Sequence, residues 1–377
     1  MPDKIQISVR EHPGGCVVSA DEYELFLISS EIIDGERHPL NKFYYTLCRT
    51  GNVSEFHSFA IKMKGEDRNS LGYCFPITAF GNADAFEDKW PSIFGRAAFS
   101  ALTQPHMLRA ALSDDALKIL KGGEVGVQDI YDSNLSIVIL GRDALARFGI
   151  SDVQIPLMLA RQGICATDQS DNGPCPPIFK TWAPSVSLSP TSEEFRNEEF
   201  LFWQLIKMAA GSGWESGSFL ILYQCLEFSI QRVFDWGMVN ISPSGISPWD
   251  LKERLSKLVN EQFRLNALSN RCLGGKVDNE ILDLVMFECR ATLSALGEPV
   301  DKHTNWVSAL YSLRNLVIHN QIKLMRLTNV SLRGVNIALA RLCLEIISSL
   351  SKPGDAGIWS STEVPTSGMR DVDTETA

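Results

Sequence analysis

Paired metal ligands are what this chain most plainly lacks. Its nine cysteines are scattered from Cys16 to Cys343, and none stands in a CxxC pair. Its six histidines form no HxH or HExxH. A zinc ribbon, a disulfide framework and a metal site built from this chain are therefore not expected, and Cys165 and Cys175, the closest two thiols, read as free. No run approaches the roughly 18 apolar residues of a membrane span. The densest, Phe219-Leu-Ile-Leu-Tyr223, stops at Gln224. The segment Met1-Pro-Asp-Lys-Ile-Gln6 has no apolar h-region, so a cytoplasmic protein with no membrane partner is expected. GxGxxG is absent, and Lys121-Gly-Gly-Glu-Val-Gly126 lacks the GK[ST] ending of a phosphate-binding loop. No cofactor is expected on these grounds. A net charge of −10 also excludes a general nucleic-acid binder, so any contact with a polyanion must be local.

What the chain has is two halves of different character. Its 377 residues suffice for two domains with sizeable cores. Up to about residue 80 the pattern is that of strands. Ile5, Ile7 and Val9 alternate with polar neighbours, as do Phe43, Tyr45 and Leu47, then Phe59, Ile61 and Met63. Pro13-Gly-Gly15, Asp34-Gly35 and Thr50-Gly-Asn52 supply turns, so a hairpin-rich antiparallel sheet with one solvated face is expected. Short helices broken at Pro105 follow, then a strand over Leu135 to Leu140 and a short helix from Asp143. Residues 1–165 thus read as a β-rich α+β domain, and residues 166–194, with five prolines, as a linker.

Beyond the linker the spacing is helical. Helices are expected over 195–210, 219–234 (closed by Gly237), 247–270 (capped by Ser247 with Pro248 behind it), 278–296, a stretch capped by Thr304, and 331–350. The fold class is α+β, with a β-rich half followed by an all-α bundle over 195–350. The polar tail 351–377 reads as disordered. Charge divides along the same line. Residues 1–194 carry 17 basic against 25 acidic side chains, and residues 195–350 carry 16 against 15.

One stretch of the helical half bears chemistry. In Leu310-Tyr-Ser-Leu-Arg-Asn-Leu-Val-Ile-His-Asn320, apolar Trp306, Leu310, Leu313 and Val317 recur at helical spacing around Arg314, Asn315 and His319. Asn315, His319 and Lys323 lie four apart on one face. Arg314, five residues before His319, flanks it about 140° round the helix. The string Arg-Asn-x-x-x-His in an apolar helix resembles the signature of the HEPN superfamily, whose Arg-x4–6-His motif marks RNA-cleaving members. The resemblance spans about Phe195 to Leu350, and the motif is its specific part. It implies a HEPN-like bundle, a homodimer with two motifs facing each other, and a supporting polar residue on an earlier helix. In Tyr223-Gln-Cys-Leu-Glu227 the fitting residue is Glu227, although Gln224, Glu227 and Gln231 also read as a plain solvated stripe. Lys323, Arg326 and Arg333, with Arg341 beyond, form a basic stripe for RNA, or an ordinary solvated face.

The residue types suit metal-independent cleavage of RNA by its own 2′-OH. Histidine can move the protons, and the arginine fork can neutralise the phosphorane, with Asn315 orienting one of them. A single His319 cannot be base and acid in one step, which is why a second copy is expected. Such a chain resembles toxin or antiphage-defence effectors, with the N-terminal half as a regulator answering to a protein or small-molecule trigger. Its acidic surface would then lie over the basic stripe. Two other readings stand beside it. One is a non-catalytic HEPN dimerisation or nucleotide-binding scaffold fused to a partner-binding β-rich domain. The other is an interaction protein in which the β-rich domain binds a partner and the helical bundle only dimerises, with Arg314 and His319 buried apart and facing no groove.

Overall fold

Alternating apolar residues lay the first half down as two sheets, and α-helices make up most of the second. The fold is α+β. The computed structural model describes residues 7–12, 15–20, 23–28, 39–50, 58–66, 70–81, 89–111, 123–167, 186–239, 241–242, 246–273, 275–319, 330–354 and 357–359. In chain order the strands are β1 (Ile7–His12), β2 (Gly15–Ala20), β3 (Tyr23–Ile28), β4 (Phe43–Thr50), β5 (Phe59–Met63), β6 (Ser70–Pro76), β7 (Gly123–Val125), β8 (Leu135–Gly141), β9 (Ile164–Ala166) and β10 (Val186–Leu188). One sheet has the order β1-β2-β3-β7, the other β10-β5-β6-β8-β4-β9. Pairing is antiparallel except at β3–β7 and β5–β10. Among the described residues of this half, the α-helices are α1 (Lys89–Leu102), α2 (Pro105–Ala111), α3 (Arg142–Arg147) and α4 (Ile155–Arg161).

Strand β8 explains why the larger sheet has no solvated face at its centre. Ile137 and Ile139 point to a core shared with Phe94, Ala97 and Ala101 of α1. Val138 and Leu140 point the other way, to Ile155, Met158 and Leu159 of α4. A strand buried at every position from Leu135 to Leu140 is covered on both sides, which corrects the expectation of one wet face. Helix α4 is itself two-sided. Its Leu157 and Ala160 belong to the core of the helical half, so it is packed between sheet and bundle.

The second half contains α5 (Glu199–Gly211), α6 (Glu215–Val239), α7 (Pro248–Val259), α8 (Glu261–Ala267, running into a π turn over Leu268–Leu273), α9 (Asn279–Ala295), α10 (Trp306–His319) and α11 (Arg333–Ser349). Several expectations change here. The helix expected over 247–270 breaks at Asn260, whose extended backbone ends α7 and whose side chain caps α8 by accepting from Phe263 N at 2.9 Å. Helix α6 is not closed by Gly237 but passes through it. A Cβ there would lie 2.5 Å from Leu258 and Ile358 side-chain carbons, so the glycine is where these neighbours pack closest. The cap of α10 is Asn305, accepting from Ser308 N at 2.8 Å, in place of Thr304.

The stretch 166–194 is not a free linker throughout. Residues 168–185 lie outside the described ones, but β10 adds to β5, and Lys64 N donates to Leu188 O at 2.9 Å. Ser192 N then donates to Ile347 O at 2.9 Å, and Phe195 enters the helical core. Arg161 grips Glu345 of α11 with bonds of 2.8 and 2.6 Å, and Gln154 donates to buried Glu199 at 2.7 Å. Among the described residues, the Ser192 and Arg161 contacts reach the C-terminal end of α11, away from Arg333 at its start, and Gln154 meets the first residue of the helix Glu199–Gly211. The tail is corrected as well. Ile358 is buried, and Trp359 stacks on Phe263, donates to Gly237 O at 3.2 Å and lies under the Arg254 guanidinium. Residues 360–377 lie outside the described ones.

The closest approach in the larger sheet is at Gly72 of β6, where a Cβ would sit 1.9 Å from Ile139 O and 2.8 Å from Leu140 Cα. Both atoms belong to the backbone of the central strand and cannot rotate away. Gly72→Ala is therefore expected to lower stability by about 1–3 kcal/mol or more, read from the denaturant midpoint. A midpoint equal to wild type would show that the strands separate at no cost.

Candidate functional site

Helix α10 carries the motif with its apolar stripe turned inward. Trp306, Leu310, Leu313 and Val317 are buried as their spacing predicts, and Trp306 Nε1 donates to Ser269 Oγ at 3.2 Å. This leaves Arg314 at the edge of the stripe, where its side chain is 20% exposed. A guanidinium does not give up its proton, so a site this dry has to supply compensation.

Three elements supply it. From α6, Glu227 Oε1 lies 3.7 Å from Arg314 Nη2. From the first position of α8, Glu261 Oε2 lies 3.6 Å from the same nitrogen. Tyr223, one turn before Glu227, donates its hydroxyl to Glu261 Oε1 at 2.6 Å and presents its ring 5.6 Å from the guanidinium carbon. On α10 itself, Arg314 Nη1 donates to Asn315 Oδ1 at 3.3 Å. Burial first, and then the bond to Glu261, push the Tyr223 phenol well above its usual range, so it remains a donor to that carboxylate. Arg314 Nε is buried without a partner in this cluster.

The structure thus brings together Arg314, Asn315 and Glu227 of the residues singled out in the sequence. His319 is exposed on the last turn of α10. It stands about 7.5 Å further along the axis and about 140° round from Arg314. Gln224 and Gln231 are exposed, and Gln231 bonds Asp235 at 3.0 Å, as in a solvated stripe. Lys323 and Arg326 lie outside the described residues. Arg333 is exposed on the first turn of α11, which Glu215 ties to the start of α6 through Leu332 N at 2.6 Å. Glu215 is eight residues ahead of Tyr223, about 12 Å along the helix. Arg333 therefore stands apart from the Arg314 cluster.

Tyr223 and Glu261 are not among the residues that the sequence pattern singles out. The signal for Tyr223 was its i, i+4 spacing with Glu227, together with a phenol in an apolar run that needs a partner when buried. The signal for Glu261 was Asn260, a good N-cap residue inside a segment read as one helix. Among the described residues, no group of three or more His, Cys, Asp or Glu could hold a metal ion.

The loop that delivers α10 holds one more titratable group. His303 is 4% exposed, and its Nε2 has no partner. Burial, then the charges of Lys302 and Arg290, lower its pKa. The unfolded chain binds this proton near pH 6.5 and the folded one resists it. The contribution of His303 is thus fully present above about pH 6.5 and is lost as pH falls through the window down to the folded pKa. Denaturation midpoints of His303→Gln should fall less than those of wild type between pH 7 and 5. Parallel curves would show that His303 is not strained by its proton.

Comparison of the chain with protein-family models, with curated proteins and with solved structures finds no match in any of the three.

Proposed function

We propose that the helical half is a metal-independent endoribonuclease of HEPN type, acting through Arg314 and His319. The observation that supports this reading is a guanidinium held in place by flanking groups, on the same helix as an exposed histidine. Both carboxylates stand 3.6–3.7 Å from Arg314 Nη2, beyond ordinary hydrogen-bond length, so the donors of that nitrogen remain available to a phosphate oxygen. Asn315 accepts from Nη1 and fixes the plane of the fork. The Arg314 fork would then stabilise the pentacoordinate phosphorane. His319 would take the 2′-OH proton or give one to the leaving 5′-oxygen. A second copy of the chain supplies the other proton-transfer group, so the active form is a homodimer. Lys323, Arg326 and Arg333 would attract the RNA backbone. The N-terminal half would restrain this activity until a protein or small-molecule trigger arrives, in the manner of a cytoplasmic toxin or antiphage-defence effector.

A second reading has its own observation. Arg314 is four-fifths buried between two carboxylates and a tyrosine, which suits a fastening between α6, α8 and α10 in a non-catalytic scaffold. Cleavage of RNA in EDTA separates the two. The catalytic reading expects 2′,3′-cyclic or 3′-phosphate and 5′-hydroxyl ends, and no cleavage at a 2′-O-methyl position. It also expects a loss of about 10²–10⁴ in rate for His319→Ala, with its melting temperature unchanged. Arg314→Lys should also be poor, because a point charge does not replace the fork. Intact RNA with wild type, or cleavage indifferent to His319→Ala, would leave the scaffold.

A further inference from the structure

The seam between the two halves holds a cleft of about 640 Å³ that belongs neither to the Arg314 cluster nor to the RNA-cleavage reading. Lys64 follows β5 and Arg161 ends α4. Ser189 to Glu194 form the strap after β10, and the facing wall comes from Lys276 and the end of α11. Its volume is within the range of small-molecule sites, which are mostly apolar. Leu350 is the one apolar residue of this lining, although carbon atoms supply most of its surface, and of its five serines Ser192, Ser348 and Ser351 already donate their hydroxyls to the carbonyls of Leu350, Glu345 and Cys272. Such walls suit a ligand that combines a charged group and hydroxyls with carbon surface.

The charge inventory narrows the class. Arg161 is committed to Glu345 through Nε and Nη2, which leaves its Nη1 donors unused. Glu193 is committed to Arg196. Lys276 is anchored on Ser351 Oγ at 2.8 Å, a neutral partner, and both it and Lys64 are exposed. Two lysine charges therefore face one carboxylate, that of Glu194, whose backbone N–H already bonds Ser192 Oγ. Ammonium and guanidinium donors recognise a phosphate group, and a lone carboxylate, with the oxygens of serines whose hydroxyls already donate elsewhere, accepts from ligand hydroxyls. The geometry points to a binding site for an organic phosphate that carries free hydroxyls, of sugar-phosphate to mononucleotide size. Its walls come from both halves, so an occupant ties the β5–β10 edge to the end of α11.

The test is calorimetric titration of the full chain with ribose 5-phosphate and with AMP, alongside adenosine and inorganic phosphate. At least one of the two esters should bind, more tightly than adenosine and more tightly than inorganic phosphate. Lys64→Ala with Lys276→Ala should weaken that binding about tenfold or more. Both side chains are exposed, so the fold should be kept, and Lys252→Ala on α7 should change nothing. The ester that binds should also raise the melting temperature of wild type and not of the double variant. No binding of either ester would overturn the assignment, as would equal binding by the double variant. Adenosine binding as tightly as AMP would overturn the phosphate role of the lysines. Inorganic phosphate binding as tightly as the esters would overturn the role of Glu194.

Discussion

The position of α10 depends on compensating one charge. Arg314 is on a helix whose other inward residues are apolar, and it cannot deprotonate to escape burial. Removing one partner from such a site leaves an uncompensated charge, which is far more costly than never having placed it there. Glu261 is the stronger partner, because it is 19% exposed and is itself held by Tyr223. Glu227 is 47% exposed, and solvent screens its contribution to within the small range of surface pairs. The same cluster that fastens three helices also sets the direction in which the guanidinium fork points.

The break at Asn260 is what makes this cluster possible. A continuous helix over 247–270 would carry position 261 onward along the axis of α7. The extended Asn260 backbone redirects the chain and sets Glu261 at the first position of a new helix. On the far side, Trp359 packs on Phe263 and bonds Gly237, which joins the end of the described chain to α6 and α8. The two halves meet elsewhere, through α4 and the end of α11. Apolar Leu157 and Ala160 and the Arg161–Glu345 pair make that contact.

Patterns with a short period were readable from residues alone. Alternation at Phe43, Tyr45 and Leu47 and at Phe59, Ile61 and Met63 marked β4 and β5. Three- and four-residue spacing marked α10 and put Arg314 at the edge of its apolar face. The fit of Glu227 came from resemblance, and geometry sets it beside Arg314. Other features depend on how distant elements meet. The run Ile-Pro-Leu-Met-Leu-Ala over Ile155–Ala160 shows no stripe, because both its faces are buried, and periodicity cannot reveal such a helix. Gly237 looked like a stop signal because the side chains that need its missing Cβ come from Leu258 and Ile358. Trp359 was hidden in a polar tail. Glu261 could not be assigned to Arg314 while the turn at Asn260 was unread.

The most direct test is a double-mutant cycle on stability with Arg314→Gln, Glu261→Gln and both together, read from denaturant midpoints. A shared cluster predicts that the double variant is more stable than the sum of the singles implies, with a coupling of about 1–3 kcal/mol. Single losses that add to within about 0.5 kcal/mol would contradict the claim that compensation of Arg314 by Glu261 organises this part of the fold.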